Sequence, residues 1–313
     1  MNTGKQPLLG SLTPFTRLLF AVLLAIACFT SFFLLGMLLA VPLFGVSLTG
    51  MLTSLSDFSD PKTLHLLEYF QIIQSFGLFI LPPLLAGWFF EKNTLRYLTL
   101  DSPSRLPVYL LTLVLLFACL PFLNWMISLN ESMQLPGFLS RIEDWMKTTE
   151  EEALRLTEAF MKMPTAGGFL FNLVLIALLP AIGEEFLFRG LAQRLFRDWL
   201  GNIHAAIFVS AFLFSAMHLQ FYGFLPRMML GVMFGYLFYW TGSLWVPVFA
   251  HFINNGAAVA FEWLGQKGIL SGDYEDFGTT DNAMLITLSL LSVAAILWLV
   301  YRMSAEAQSN QKK

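Results

Sequence analysis

The chain has 313 residues, of which 57% are hydrophobic and only 12% charged, and its formal net charge is −3. Soluble domains carry about a quarter charged residues, so this composition excludes an ordinary water-soluble globule and leaves lipid as the solvent that fits. The slight negative charge and the lack of a long basic run argue against a nucleic-acid partner.

A membrane-crossing helix needs ~20 mostly apolar residues. Eight runs qualify: 18–45, 66–90, 106–128, 167–196, 203–220, 224–240, 244–263 and 283–302. Lys5 and Arg17 precede the first run, which is too long for the core of a cleaved signal peptide and reads as a span. The expected fold class is all-α: a polytopic membrane bundle of about eight transmembrane helices with one extramembrane amphipathic helix. Cys28 and Cys119 lie within apolar runs and read as packing residues. The N-terminal segment reads as loose. Pro82, Pro83 and Pro180 interrupt apolar runs and are candidate helix breaks.

Loop charges give an orientation. Lys92, Arg96 and Arg105 follow the second span, Arg194 and Arg197 end the fourth, and Arg302, Lys312 and Lys313 follow the eighth. Asp57, Asp60, Asp273, Glu275, Asp276 and Asp281 fall on the other side. Basic residues inside place both termini in the cytoplasm, which an even number of spans permits. Arg141, Lys147, Arg155 and Lys162 in the third loop run against this bias. That loop also carries Leu139, Ile142, Trp145, Met146, Leu154, Leu156 and Phe160 at broadly helical spacing. It reads as an amphipathic helix over 139–163, lying on the outer membrane surface or serving as a solvated connector.

The fourth run places Glu184, Glu185 and Arg189 directly after apolar sequence. Ionised side chains in a membrane helix are costly and functional by default. Glu185 and Arg189 stand four apart on one face, acid first, the favourable order for an ion pair. Glu184 is rotated about 100° away and remains available as a general base. Gly201 and Asn202 mark a hairpin turn, with Glu184 seventeen residues before Gly201 and His218 seventeen after. Equal offsets from the turn of an antiparallel hairpin make the two side chains neighbours. His251 and Asn255 share a face of the seventh run, a little beyond the Gly242–Ser243 break. This places the site at shallow depth on the cytoplasmic side. His65 and His204 read as interfacial residues, and Asn124, Asn172 and Asn254 as helix-to-helix hydrogen bonders.

These residues resemble the CPBP family of intramembrane endopeptidases, which includes type II CAAX prenyl endopeptidases and bacterial proteins linked to bacteriocin processing and self-immunity. The family's paired glutamates and following arginine stand at Glu184, Glu185 and Arg189, its Phe-x-x-x-His at Phe214 and His218, and its His-x-x-x-Asn at His251 and Asn255. The resemblance covers about residues 167–263. It implies peptide-bond hydrolysis in or near the membrane. On the reading of the groups, Glu184 and His218 activate a water, and His251 and Asn255 stabilise the oxyanion. Glu185 and Arg189 lock the helix, while Phe188 and Phe214 limit water. No cofactor is required by this scheme. A zinc ion held by His218, His251 and a glutamate is a compatible alternative, although HExxH is absent and Asn is a poor zinc ligand.

The expected organisation is an N-terminal membrane region over 1–130, the extramembrane segment 131–166, a catalytic core over 167–263, and a loop, last span and cytoplasmic tail over 264–313. Expected partners are membrane lipid and a peptide or prenylated or lipidated protein substrate. The expected location is a bacterial inner membrane, with the endoplasmic reticulum as alternative. A proton-coupled transporter and a non-catalytic immunity or binding protein are the competing functions.

Overall fold

The computed structural model describes residues 7–54, 58, 60–133, 135–270 and 278–311. Lys5, Asp57, Asp273, Glu275, Asp276, Lys312 and Lys313, which entered the charge reading, lie outside the described residues. The described chain forms α1 (Pro14–Phe44), α2 (Leu48–Ser54), α3 (Pro61–Glu91), α4 (Thr94–Tyr97), α5 (Leu106–Ala118), α6 (Leu120–Glu131), α7 (Ser140–Phe160), α8 (Ala166–Leu200), α9 (Ile203–Ala216), α10 (Phe224–Thr241), α11 (Trp245–Gln266) and α12 (Ala283–Gln311). No strand occurs among the described residues.

The fold is a polytopic helical membrane bundle, and each of the eight apolar runs carries helix. Four helices (α1, α3, α8 and α12) are long and apolar enough to cross a membrane alone. A fifth span results if α5 and α6, bent by 44°, are taken together. The bend falls at Cys119, two residues before Pro121. Proline has no N–H and its ring crowds the carbonyl four residues back, which is why the axis breaks there. α9 is apolar but has only 14 residues. The outer face of α1, with Leu19, Leu23, Ile26, Leu34 and Leu38, is exposed as a lipid-facing surface requires.

The prolines of α3 and α8 behave otherwise than expected. Pro82, Pro83 and Pro180 do not end their helices; a π-helical turn precedes them, at Ser75–Ile80 and at Leu173–Leu178. A π turn moves the carbonyl ladder by one residue and so accommodates the ring. Both helices run on as continuous elements, Pro61–Glu91 and Ala166–Leu200.

Two apolar clusters flank the centre. One joins α5 and α6 to α10, α11 and α12 through Leu115, Phe234, Leu237, Val246 and Val300. The other joins α1, α3 and α8 through Ala21, Phe90, Leu191 and Leu195, with Leu98 and Leu244 from the adjoining turns. Cys28 and Cys119 are free, buried thiols, Cys119 within the first of these clusters. α7 is a helix, as its periodicity indicates, but it docks on the bundle. Trp145 meets Phe221 edge-on at 5.2 Å. Glu150 Oε2 accepts from the Tyr222 N–H at 3.2 Å. α7 thus covers the turn between α9 and α10, which brings it over the polar cluster.

Candidate active site

α8 starts where Thr165 Oγ1 accepts from the Gly168 N–H, and it stops at Gly201, whose φ of +65° ends the helix in the left-handed region. Asn202 then caps α9 by accepting from the N–H groups of His204 and Ala205. The hairpin turn is therefore where Gly-Asn indicates. Within α8, the α-helical segment Leu179–Glu185 sits between the π turns Leu173–Leu178 and Phe186–Ala192. Arg189 still reaches back one turn, its Nη1 donating to Glu185 Oε1 at 2.8 Å. Both side chains are essentially inaccessible, at 1% and 0% exposure. Arg189 Nη2 donates to the Gly231 carbonyl of α10 at 2.9 Å. Its guanidinium also lies over the rings of Phe214 and Phe234. Glu185 Oε1 and the guanidinium are met by an opposite charge, a carbonyl and π faces, which offsets much of the cost of burial, while Glu185 Oε2 has no hydrogen-bond partner among the described residues.

His218 belongs to a turn, not to a span. α9 ends at Ala216, two residues earlier, and Leu219 takes φ +55°. The turn is tied down on both flanks. Ser215 Oγ donates to the Phe224 carbonyl, and Arg227 Nη2 donates to Gln220 Oε1. His218 Nδ1 lies 2.9 Å from the Phe214 carbonyl, which can only accept, so Nδ1 carries the hydrogen. The other ring nitrogen faces Glu184, with Nε2 and Oε2 3.9 Å apart. The hairpin geometry thus brings together the two residues it predicts.

His251 comes from α11, six residues past Trp245. Its Nδ1 lies 2.8 Å from Glu185 Oε1. Glu185 therefore does more than anchor Arg189: it also fixes the ring of His251. The Nε2 of His251 then faces Glu184 Oε2, again at 3.9 Å. Phe214 meets the rings of Phe188, His218 and His251, and Phe234 packs on His251 from α10. Asn255 shares the face of His251, but its Nδ2 donates to the Ile176 carbonyl at 3.2 Å.

Glu184 and His218 line a cavity of about 380 Å³ together with Gln71, Gln74, Phe79, Phe160 and Phe188. The α3 and α7 residues in this lining place its walls at the α7 side of the bundle. α9 is short and turns at His218, and α7 packs over that turn. Gln71, Gln74, Phe234, the Gly231 carbonyl and Arg227 were not legible as site residues. Phe234 is one of 32 phenylalanines, and the glutamines lie in a span with no recognisable motif. His65 and His204 are exposed, beside Glu68 and Tyr236, as interfacial residues would be.

The hydrogen positions constrain the chemistry. With both Nδ1 atoms protonated by their partners, neutral His218 and His251 present lone pairs on Nε2. An ionised Glu184 presents a third acceptor at 3.9 Å from each. These distances are too long for direct hydrogen bonds. A water among them has two hydrogens for three acceptors. Full pairing therefore needs one further proton in the cluster. Such a site can take a proton from a nucleophilic water and return one to a leaving group.

Residues 166–257 match the family model described as Rce1-like, type II CAAX prenyl endopeptidase. That stretch contains all three motifs, from Glu184 to Asn255, and the resemblance drawn from them holds over it. The chain is also 30% identical over 86 residues to the uncharacterized protein YpbD of Bacillus subtilis (strain 168), covering 26% of this chain and 41% of that relative. The chain therefore matches less than half the length of this relative. No solved structure matches significantly. The apolar helices identify an integral membrane protein, and its stretch 166–257 is similar to the CAAX prenyl endopeptidases.

Proposed function

We propose that the chain is an intramembrane endopeptidase that hydrolyses a peptide bond in a membrane-associated or lipidated peptide. The observation that carries this reading is the convergence of Glu184 Oε2, His218 Nε2 and His251 Nε2 on one point beside a cavity. Glu184 takes a proton from a water positioned with His218, and the water attacks the scissile carbonyl. The proton then passes to the leaving amine. His251, held through Nδ1 by Glu185, donates from a protonated Nε2 to the oxyanion, a contribution worth several kcal/mol in a preorganised site. Asn255, to which the resemblance gives a share in that role, donates one amide hydrogen to the Ile176 carbonyl and keeps the second for the oxyanion.

The spacing favours water over a metal ion. Two ligands of tetrahedral zinc, each about 2.05 Å from it, lie about 3.4 Å apart. The two separations here are 3.9 Å, whereas a water hydrogen-bonded at about 2.8 Å bridges such a gap readily. Among the described residues no group of three His, Cys, Asp or Glu side chains is disposed to hold a metal.

In this reading 167–263 is the catalytic core, 1–130 and 264–313 complete the membrane body, and 131–166 covers the site. A bacterial inner membrane with cytoplasmic termini fits the basic loops. A prenylated or otherwise lipidated substrate fits the family match and the Phe-lined cavity. α3 and α8 run on through their prolines, so a broken span of the kind a transporter uses is confined, among the described residues, to α5 and α6, bent at Cys119.

The test is cleavage of membrane peptides by the purified chain in detergent, with substrates found by comparing the membrane peptides of cells carrying the wild type or Glu184→Gln. Loss of cleavage in Glu184→Gln by at least about 10³-fold is expected. Full cleavage by Glu184→Gln sinks the assignment. Solute flux into sealed liposomes with no cleavage points to transport, and protection of cells by the inactive variant points to an immunity role.

A further inference from the structure

A second cavity, of about 120 Å³, lies at the C-terminal end of α8, beside the Gly201 and Gly242 turns. Gln193, Arg194 and Arg197 of α8, Ile203 of α9, and Phe238 and Tyr239 of α10 line it. It shares no residue with the cavity beside Glu184. Two polar atoms in its wall are left over. Gln193 is 2% exposed, and its Nε2 donates to the Gly235 carbonyl at 3.2 Å. The other end of that amide, Oε1, has no hydrogen-bond partner among the described residues. Arg194 Nε is likewise buried without a partner. Its Nη2 reaches Thr99 Oγ1 at 3.4 Å, and its guanidinium lies over the rings of Tyr97 and Phe238. No carboxylate among the described residues forms an ion pair with it. Arg197, three residues on, adds a second cation to the same wall; its own partner is Asp198. Like charges this close on a helix repel. A buried acceptor and a cation without an anion each cost free energy until something pairs with them.

We propose that this cavity binds a phosphate ester that carries a hydroxyl: Arg194 and Arg197 hold the phosphate, and Gln193 Oε1 accepts from the hydroxyl. Arginine suits phosphate because its fork of donors matches two phosphate oxygens. The volume is well below the ~300 Å³ of a pocket for a drug-sized ligand, so it takes a small polar group and excludes an acyl chain. Trp199, Tyr239 and Trp245 are exposed around the same turns, as aromatic residues at the headgroup level of a bilayer are. Basic pockets between helices at that level are where anionic lipid heads bind. A phosphoglycerol lipid head and free glycerol phosphate offer the same pair of groups. The proposal does not depend on the endopeptidase reading.

The chain is taken from vesicles of equal parts phosphatidylglycerol and phosphatidylcholine, and the lipids it retains in detergent are counted by native mass spectrometry. Retention of phosphatidylglycerol over phosphatidylcholine by roughly tenfold is expected, the scale of a hydrogen bond to a charged group. Arg194→Met, which keeps the stacking length and removes the charge, should abolish the preference. Ile203→Phe, which fills the cavity from α9 and leaves every charge in place, should abolish it too and keeps the test alive should Arg194→Met fail to fold. Arg105→Gln, exposed and outside the cavity, should leave it within about fivefold, as a surface charge does. Phosphatidylmethanol, an anion whose head has no hydroxyl, should be retained less than phosphatidylglycerol. In a second arm, sn-glycerol 3-phosphate is titrated into the lipid-stripped chain. Saturable binding there, lost in the same two variants and without a lipid preference, supports the site and assigns it to a free phosphate ester. Equal retention of both lipids with no binding of glycerol phosphate overturns the proposal. So does a preference that survives Arg194→Met and Ile203→Phe, or one that Arg105→Gln removes equally. Equal retention of phosphatidylmethanol overturns the role of Gln193. Glu184→Gln should retain lipid as the wild type does; a loss there would move the ligand to the other cavity and overturn this placement.

Discussion

At the scale of residues, the adjacent glutamates have divided the work. Glu185 accepts from Arg189 and faces His251 Nδ1 with the same oxygen, in a place closed to solvent. Glu184 makes neither contact and faces the two Nε2 atoms. This division predicts opposite phenotypes. Arg189→Met leaves a buried carboxylate without its cation and should destabilise the bundle by about 3–5 kcal/mol. The double variant Glu185→Gln with Arg189→Met removes both charges and should recover much of that loss. Thermal unfolding in detergent checks both, and a double variant as unstable as Arg189→Met would contradict the pairing. Glu184→Gln, by contrast, should remove cleavage while leaving the midpoint within a degree or two of wild type.

At the scale of elements, close helix contacts at glycine set the depth of each group. Arg189 and Gln193 of α8 donate to the carbonyls of Gly231 and Gly235 on α10, two parallel bonds one turn apart. A methyl group at Gly231 would lie 3.0 Å from Ala211 Cβ and 3.3 Å from Arg189 Nη2. Gly183, beside Glu184, faces α3, and its added Cβ would lie 2.8 Å from Phe79 Cβ. Gly183→Ala should therefore cost about 1–3 kcal/mol through forced separation of α3 and α8, measurable as a lower thermal midpoint. Unchanged stability would show that the helices part freely. On α7 the expected effect is small. Lys147 Nζ hydrogen-bonds Glu143 Oε1 at 2.8 Å and holds that carboxyl below its usual range. A lowered carboxylate contributes stability above the ordinary carboxylate range, and the contribution is lost as pH falls through the lowered value. Because the pair is exposed to solvent, Lys147→Met should move the Glu143 titration upward in carbon-detected NMR with no resolvable change in unfolding at neutral pH.

At the scale of the whole molecule, the site is assembled from five helices (α3, α8, α9, α10 and α11) and one turn, and is covered by a sixth, α7. α7 lies over the turn that carries His218, through Trp145 on Phe221 and Glu150 on Tyr222. Such an aromatic contact is worth about 1 kcal/mol. Trp145→Asp should loosen the cover, lower cleavage severalfold, and speed the modification of His218 by diethyl pyrocarbonate. Unaltered labelling of His218 would mean that α7 does not screen it.

The sequence by itself determined the membrane class, the helical runs, the Glu185–Arg189 pair and the approach of Glu184 to His218. Each depends on local periodicity, or on counting along two helices from a shared Gly-Asn turn. Only the tertiary structure decided what His251 is tied to, that the Asn255 amide N–H goes to the Ile176 carbonyl, and that the cavity is walled by α3 and α7. Those facts turn on helix offsets, which leave no trace in the spacing of residue types. The prolines show the limit most plainly: their missing N–H is written in the sequence, but whether a helix breaks there or runs on through a π turn depends on how the fold packs its neighbours against it.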